Sequence, residues 1–279
     1  MIPIGKLKTN MLFNKNLEDL IEVMKLAATT QFNQFRSRQE PSADFIRQLD
    51  EVFEVLFSSG IPKDLLVSEE SLPALILLVS SDEGFLGELN FLLVNKLLDI
   101  KRPQDTVLCV GNQGANYLKE TEINFSFLDS PGEKIDSENL GKICDSIFKQ
   151  YLKRSVGRVY VIYSRFINIT AQQIELESLL PLEKTSSSTK PVRDLLVEPS
   201  SRAVIEGWIK QWLSFRLYHI FWSSKLAEFA ARIMHLEGSV QELGKINSHL
   251  RMEYFKYLHG LSDKSIRELT AARLLEKNK

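Results

Sequence analysis

From Leu226 to Leu261 the chain places apolar or aromatic side chains at alternating steps of three and four: Leu226, Phe229, Ile233, Leu236, Val240, Leu243, Asn247, Leu250, Tyr254, Tyr257 and Leu261. Five heptads with one polar residue on the seam form the pattern of a coiled-coil helix. At 1.5 Å per residue this stretch reaches about 54 Å, more than the diameter of a small domain. The helix is therefore expected to project beyond the rest of the fold, and its seam needs a long partner. The other end of the chain offers one. Leu17, Ile21, Met24, Ala28 and Phe35, then Phe45, Leu49, Val52 and Leu56, repeat at related spacing, with Pro41 as the expected interruption and Gly60-Ile61-Pro62 as the closing turn. The spacing predicts antiparallel pairing of Leu17–Leu56 with Leu226–Leu261 inside one chain. Asn247 on the seam is expected to fix register, the alternative being a polar helix-end residue.

Between the two helical ends the period changes. Ala74–Val79 is a short apolar run of the kind buried on both faces of a sheet. A polar turn containing Gly84 follows, then a helix expected over Leu86–Leu98. Thr106–Val110 is a second apolar run, with a turn at Gly111-Asn112-Gln113-Gly114 and a short helix after it. Ser137–Leu152 has helical periodicity, Arg158–Tyr163 reads as a strong strand, and Val192–Val197 reads as a last strand after a Ser/Thr-rich loop at 185–189. Strands alternating with helices predict a small, mostly parallel α/β domain of Rossmann-like layout. The expected division is 1–58 for the N-terminal coiled-coil helix, 72–198 for the α/β domain and 201–279 for the C-terminal coiled-coil helix.

Several function classes are disfavoured. Lys+Arg number 35 against Asp+Glu 36, so the basic excess of a phosphate-backbone binder is missing and no nucleic-acid partner is expected. The N-terminus shows no signal core, and the apolar stretch Leu72–Val79 contains Pro73 and falls far short of a membrane span. Cys109 and Cys144 read as free buried thiols suited to a reducing compartment. His219, His235, His249 and His259 lack metal-ligand spacing and read as ordinary helix residues. No phosphate-cradling loop, nucleophile elbow or zinc-protease motif occurs. The Gly111 turn has its glycines at the wrong spacing for a dinucleotide fingerprint. No catalytic residue, metal or cofactor is expected.

The order of local motifs resembles the gamma subunit of F-type ATP synthases, the central rotor stalk. Leu20-Ile21-Glu22-Val23-Met24-Lys25-Leu26-Ala27-Ala28 is similar to that family's N-terminal helix run. Ser81-Asp82-Glu83-Gly84-Phe85-Leu86-Gly87-Glu88-Leu89-Asn90 resembles its Ser-Asp-Arg/Lys-Gly-Leu-Cys-Gly-x-x-Asn motif after the first strand. Tyr163-Ser164-Arg165-Phe166, Gln172 or Gln173 and Leu179-Leu180-Pro181 resemble its Tyr-Asn-x-Phe…Gln…Leu-Leu-Pro segment. Glu198-Pro199-Ser200 is similar to the element opening its C-terminal helix, followed by Ser224, Ala227, Glu242 and Leu243. The set covers nearly the whole chain in order. Departures are local: Glu83 stands where the family has a basic residue and Leu86 where it has cysteine. The C-terminal helix lacks the Asn-x-x-Arg-Gln-x-x-Ile-Thr stretch, and its usual small residues give way to Phe229, Ile233 and Tyr257.

The resemblance implies a torque-transmitting shaft without an active site of its own. It implies partners in the alpha and beta subunits of the catalytic head, the epsilon subunit and the membrane ring of c subunits. It also implies attachment to the membrane only through the complex, peripherally, on the cytoplasmic face of the cell (inner) membrane. Met24, Lys25, Ser81, Asp82, Glu83, Gly84, Gly87, Asn90, Glu242 and Glu268 are the interface candidates it implies. The rival reading is a cytoplasmic coiled-coil scaffold with an α/β head; a third is a small-molecule-binding domain using the Gly84 or Gly111 turn.

Overall fold

The computed structural model describes residues 3–38, 47–49, 51–52, 72–132, 134–182, 198 and 200–277. The expected positions Phe45 and Leu56, the Ser/Thr-rich loop and the Val192–Val197 strand lie outside the described residues. Helix α1 (Ile4–Arg36) and helix α5 (Ser201–Lys277) are the longest elements. Two compact units form, one from Met1–Ala28 with Ile233–Lys279, the other from Thr29–Arg232.

In the first unit α1 and α5 pair antiparallel. Lys25 of α1 meets Glu237 of α5 at 2.8 Å, and Asn247 Nδ2 donates to Glu18 Oε2 at 3.4 Å, so stepping back along α1 steps forward along α5. The heptad pattern sets which side faces inward: Leu236 is buried and Val240, Leu243, Asn247, Leu250, Tyr254 and Tyr257 are half-buried, while Met234, Ile246, Met252 and Phe255 between them are exposed. Two boundaries differ from expectation. Helix α1 starts at Ile4 rather than Leu17, because Leu7 and Met11 extend the apolar stripe and Pro3 is accommodated at the helix start. The predicted seam position Leu261 is exposed. Ile4 lies as many residues before Glu18 as Leu261 lies after Asn247, so the facing helix runs out there.

The second unit is built on a five-stranded sheet in the order β3-β2-β1-β4-β5. Strands β1 (Ala74–Val79), β2 (Thr106–Val110), β3 (Ser126–Leu128) and β4 (Arg158–Asn168) are parallel, and β5 (Ala171–Leu180) returns antiparallel beside β4. Helices α2 (Leu89–Ile100), α3 (Asn112–Glu120) and α4 (Ser137–Leu152) connect them. Ile76 and Leu78 of β1, Val107 and Cys109 of β2 and Ile162 of β4 point to one face, where Leu93, Val94 and Leu97 of α2 and Ala115 and Leu118 of α3 cover them. β1 is central and apolar on both faces, as a buried parallel strand must be. Burial pushes the thiol of Cys109 up to about 12 and that of Cys144 up to about 11, so both stay protonated and packed.

Helix α2 begins at Leu89, not Leu86 as the apolar pattern suggested. Phe85 (φ 63°) and Gly87 (φ 58°) are left-handed, and buried Leu86 between them belongs to the turn. β3 and β5 were not expected. In β5 Gln173, Glu175 and Glu177 alternate with Ile174 and Leu176; glutamate signals a strand poorly, and pairing with β4 makes the segment one.

Candidate functional site

In open α/β sheets ligands bind beyond the carboxyl ends of strands where strand order reverses. Here that place lies between β1 and β4. Because Leu78 pairs with Ile162, Ser164 sits level with Ser80, just past the end of β1. The space is occupied by α5. Ser224 Oγ lies 3.2 Å from Ser164 Oγ, and Ser223 Oγ accepts the Phe166 N–H at 3.1 Å. Ser80, Ser164, Ser223 and Ser224 are all buried. The chain thus supplies its own occupant for the crevice.

The glycine turns are explained by the same packing. Gly111 adopts φ 98°, and a Cβ there would fall 2.2 Å from Ser80 O; a Cβ on Gly114 would fall 2.3 Å from Ser80 Oγ. Ser80 Oγ donates to Val110 O at 2.8 Å and accepts from Gly114 N at 3.0 Å. These glycines admit the neighbouring turn, not a ligand, which removes the reason for reading them as a small-molecule cradle.

Six of the ten interface candidates share the β1–α2 turn. Asn90 Nδ2 donates to Ser81 Oγ at 2.8 Å, Ser81 N–H donates to Asn90 Oδ1 at 3.2 Å, and Ser81 Oγ donates to Glu83 O at 2.8 Å. Asp82 Oδ1 accepts from Asn112 N at 3.3 Å and ties the turn to the next one. Glu83, with an exposed side chain, pairs with buried Arg232 of α5 at 3.0 Å, and Arg232 Nε also donates to Gly84 O at 3.4 Å. Gly87 supplies a left-handed turn residue.

The other four stand elsewhere. Met24 is half-buried on α1, and Lys25 is held by Glu237. Glu242 is exposed and pairs with Lys245 at 3.2 Å; Glu268 is exposed near the end of α5, 3.9 Å from Lys264.

Sequence reasoning missed Arg232 and the pair Lys225–Glu228, 2.9 Å apart with both side chains almost wholly buried. Residues 221–232 of α5 are buried on every side. Burial pushes the Glu228 carboxyl above its ordinary value against the pull of Lys225. For Lys225 burial is the largest single influence and works downward, but the charge and hydrogen bond of Glu228, with the charge of Asp82, together outweigh it and hold the ammonium above its usual value. The one available signal was the run of small residues, Ser223, Ser224, Ala227, Ala230 and Ala231, which lets surrounding elements approach the helix closely.

The chain is 24% identical over 273 residues to the ATP synthase gamma chain of Clostridium perfringens, covering 94% of each. It is 23% identical over 279 residues to that of Pasteurella multocida, covering 95% of this chain and 96% of the relative. Its fold is similar to a chain in the cryo-EM structure of the Euglena gracilis mitochondrial ATP synthase OSCP/F1/c-ring assembly in rotational state 3, with a TM-score of 0.69 at 14% identity over 96% of this chain and 93% of that one. A chain of the rotor of the same synthase in rotational state 1 gives 0.66 at 14% identity over 92% and 98%. The model of the ATP synthase family matches residues 5–257, nearly the whole length, and the chain belongs to that family.

Proposed function

We propose that the chain is the gamma subunit of an F-type ATP synthase, the central rotor stalk that carries torque between a membrane ring of c subunits and the alpha–beta catalytic head. The observation that carries this reading is the antiparallel pairing of the chain's two ends through Lys25–Glu237 and Asn247–Glu18, in a member of this family with an α/β unit inserted between them. A rotor needs no catalytic group. It acts by contacting successive nucleotide sites with different free energies, which biases each site in turn. Partners on this reading are the alpha and beta subunits, epsilon and the c-ring. The turn Ser81–Asn90, with Met24, Lys25, Glu242 and Glu268, supplies contacts. No described helix is long and apolar enough to cross a membrane. The proposed location is peripheral, on the cytoplasmic face of the inner membrane, through the complex.

The test removes residues 264–279, which lie beyond the half-buried seam. ATP-driven ion pumping per ATP hydrolysed is compared in membranes carrying intact or truncated chain. The ratio should fall while assembly persists. An unchanged ratio in fully assembled complexes would exclude a bearing role for this end of α5.

A further inference from the structure

We infer that the α/β unit carries, at the amino ends of β1 and β4, a binding site for a small monocarboxylate with an apolar body, a site that the rotor reading neither needs nor uses. The carboxyl ends of these strands, where open α/β sheets usually bind ligands, are filled by α5. At the opposite end a cavity of about 340 Å³ opens on the face of the sheet that α2 covers. Two register pairs line it from the sheet, Ala74 with Arg158 and Ile76 with Tyr160. Ile100, the last residue of α2, and Leu176 of β5 add apolar wall, and the α2–β2 connection contributes Arg102 and Asp105. A cavity of this size, apolar with a few polar groups, has the make-up of a small-molecule site.

The polar groups are held in place before any ligand arrives. Asp105 Oδ1 accepts the Ala74 N–H at 2.8 Å and Oδ2 accepts the Arg102 N–H at 2.8 Å, which ties the connection to the start of β1. Both oxygens of that carboxylate are thus engaged by backbone. Arg158 Nη1 donates to Tyr160 Oη at 3.3 Å, so the phenol oxygen accepts and its own hydrogen is left to donate. No described residue accepts that hydrogen, and the guanidinium of exposed Arg102 has no carboxylate partner among the described residues. A guanidinium and a hydroxyl hydrogen lining one cavity are the donors that an oxyanion needs. The charge count selects which oxyanion. Two arginines against one aspartate leave one positive charge among the lining residues, which suits a carboxylate better than a phosphate dianion. Ile76, Ile100 and Leu176 then require an apolar body on the acid, which a simple inorganic anion lacks.

The full-length chain is titrated calorimetrically with 2-naphthoate and octanoate, an aromatic and a linear monocarboxylate. Neutral 2-naphthamide and dianionic phenyl phosphate serve as comparisons. At least one carboxylate should bind in a one-to-one ratio and raise the melting temperature with concentration. The amide and the phosphate should bind about tenfold more weakly or worse. Arg102→Gln should weaken carboxylate binding by about tenfold and leave the melting temperature of the ligand-free chain unchanged, since the residue is exposed. Tyr160→Phe should weaken it severalfold. Ala74→Leu places a larger side chain in the cavity and should abolish binding, whereas Arg267→Gln removes the same charge from an exposed position on α5 and should change nothing. Binding of neither carboxylate overturns the inference, as does an amide or phosphate bound equally well. Native affinity in any of the three cavity variants, or an equal loss in Arg267→Gln, overturns it too. The rotor reading survives each of these results.

Discussion

The Lys25 ammonium donates to a Glu237 carboxylate oxygen at 2.8 Å, joining α1 to α5. This hydrogen bond raises the Lys25 pKa above 10.5 and, with a second one from Gln241, lowers that of Glu237 below 4.5. A residue that the family resemblance assigns to the head is thus also a brace within the helix pair. The depressed carboxyl contributes stability above its unfolded value and loses it as pH falls through the lower folded value. The raised ammonium contributes below its unfolded value and loses it as pH rises through the higher folded one. The pair therefore acts across the range between them. Because both side chains are part-exposed, Lys25→Gln should cost only about 0.2–1 kcal/mol at neutral pH, and the difference from the native chain should vanish in acid. Urea unfolding at the two pH values measures it. If Lys25 acts by bracing, Glu237→Gln should impair coupled ATP turnover as much as Lys25→Gln; an effect confined to Lys25 would point to direct contact with the head.

Lys225 and Glu228 are buried together, so removing one partner strands the other's charge. Lys225→Met or Glu228→Leu alone should each destabilise by about 3–5 kcal/mol. The double variant should cost less than the sum. A double-mutant cycle in guanidinium reads the coupling, and strict additivity would mean that the two charges do not support each other.

Two glycines in neighbouring turns should differ sharply in their tolerance of the same substitution. Gly111→Ala forces a Cβ to 2.2 Å from Ser80 O at φ 98° and should cost on the order of 2–5 kcal/mol from overpacking and strain together. Gly84→Ala meets nothing within 4 Å and should stay within about 0.5 kcal/mol. Melting temperatures of the two variants decide; equal losses would show that contact with Ser80 is not what selects glycine.

Asn247 is the polar member of the seam. Its Nδ2 reaches Glu18 at 3.4 Å, while its buried Oδ1 finds no partner among the described residues. Asn247→Leu should therefore raise the melting temperature and loosen register, visible as additional disulfide cross-links between cysteines placed along α1 and α5. A stabilised variant with a single cross-link pattern would show that register is fixed elsewhere.

Local periodicity made much of this protein legible in its sequence. Steps of three and four along α5 fixed which side chains face α1, since helix geometry turns spacing into direction. The unbroken apolar runs Ala74–Val79 and Thr106–Val110 marked central parallel strands, because only a strand covered on both faces tolerates no polar alternation. The motif Ser81–Asn90 placed six candidate residues in one turn, which the fold keeps together. Other features depend on residues far apart in the chain. Leu89, not Leu86, starts α2 because Leu86 is buried beside Ala231, which leaves Phe85 left-handed and outward. β5 is a strand by pairing with β4, not by composition. Lys225, Glu228 and Arg232 flank a heptad seam, where spacing alone predicts solvent, yet the packed α/β unit encloses that part of α5 and forces the charges to pair. A periodic pattern specifies which way a side chain points. Only the elements that close around it decide whether it meets water, a partner or an opposite charge, and those arrive from distant sequence.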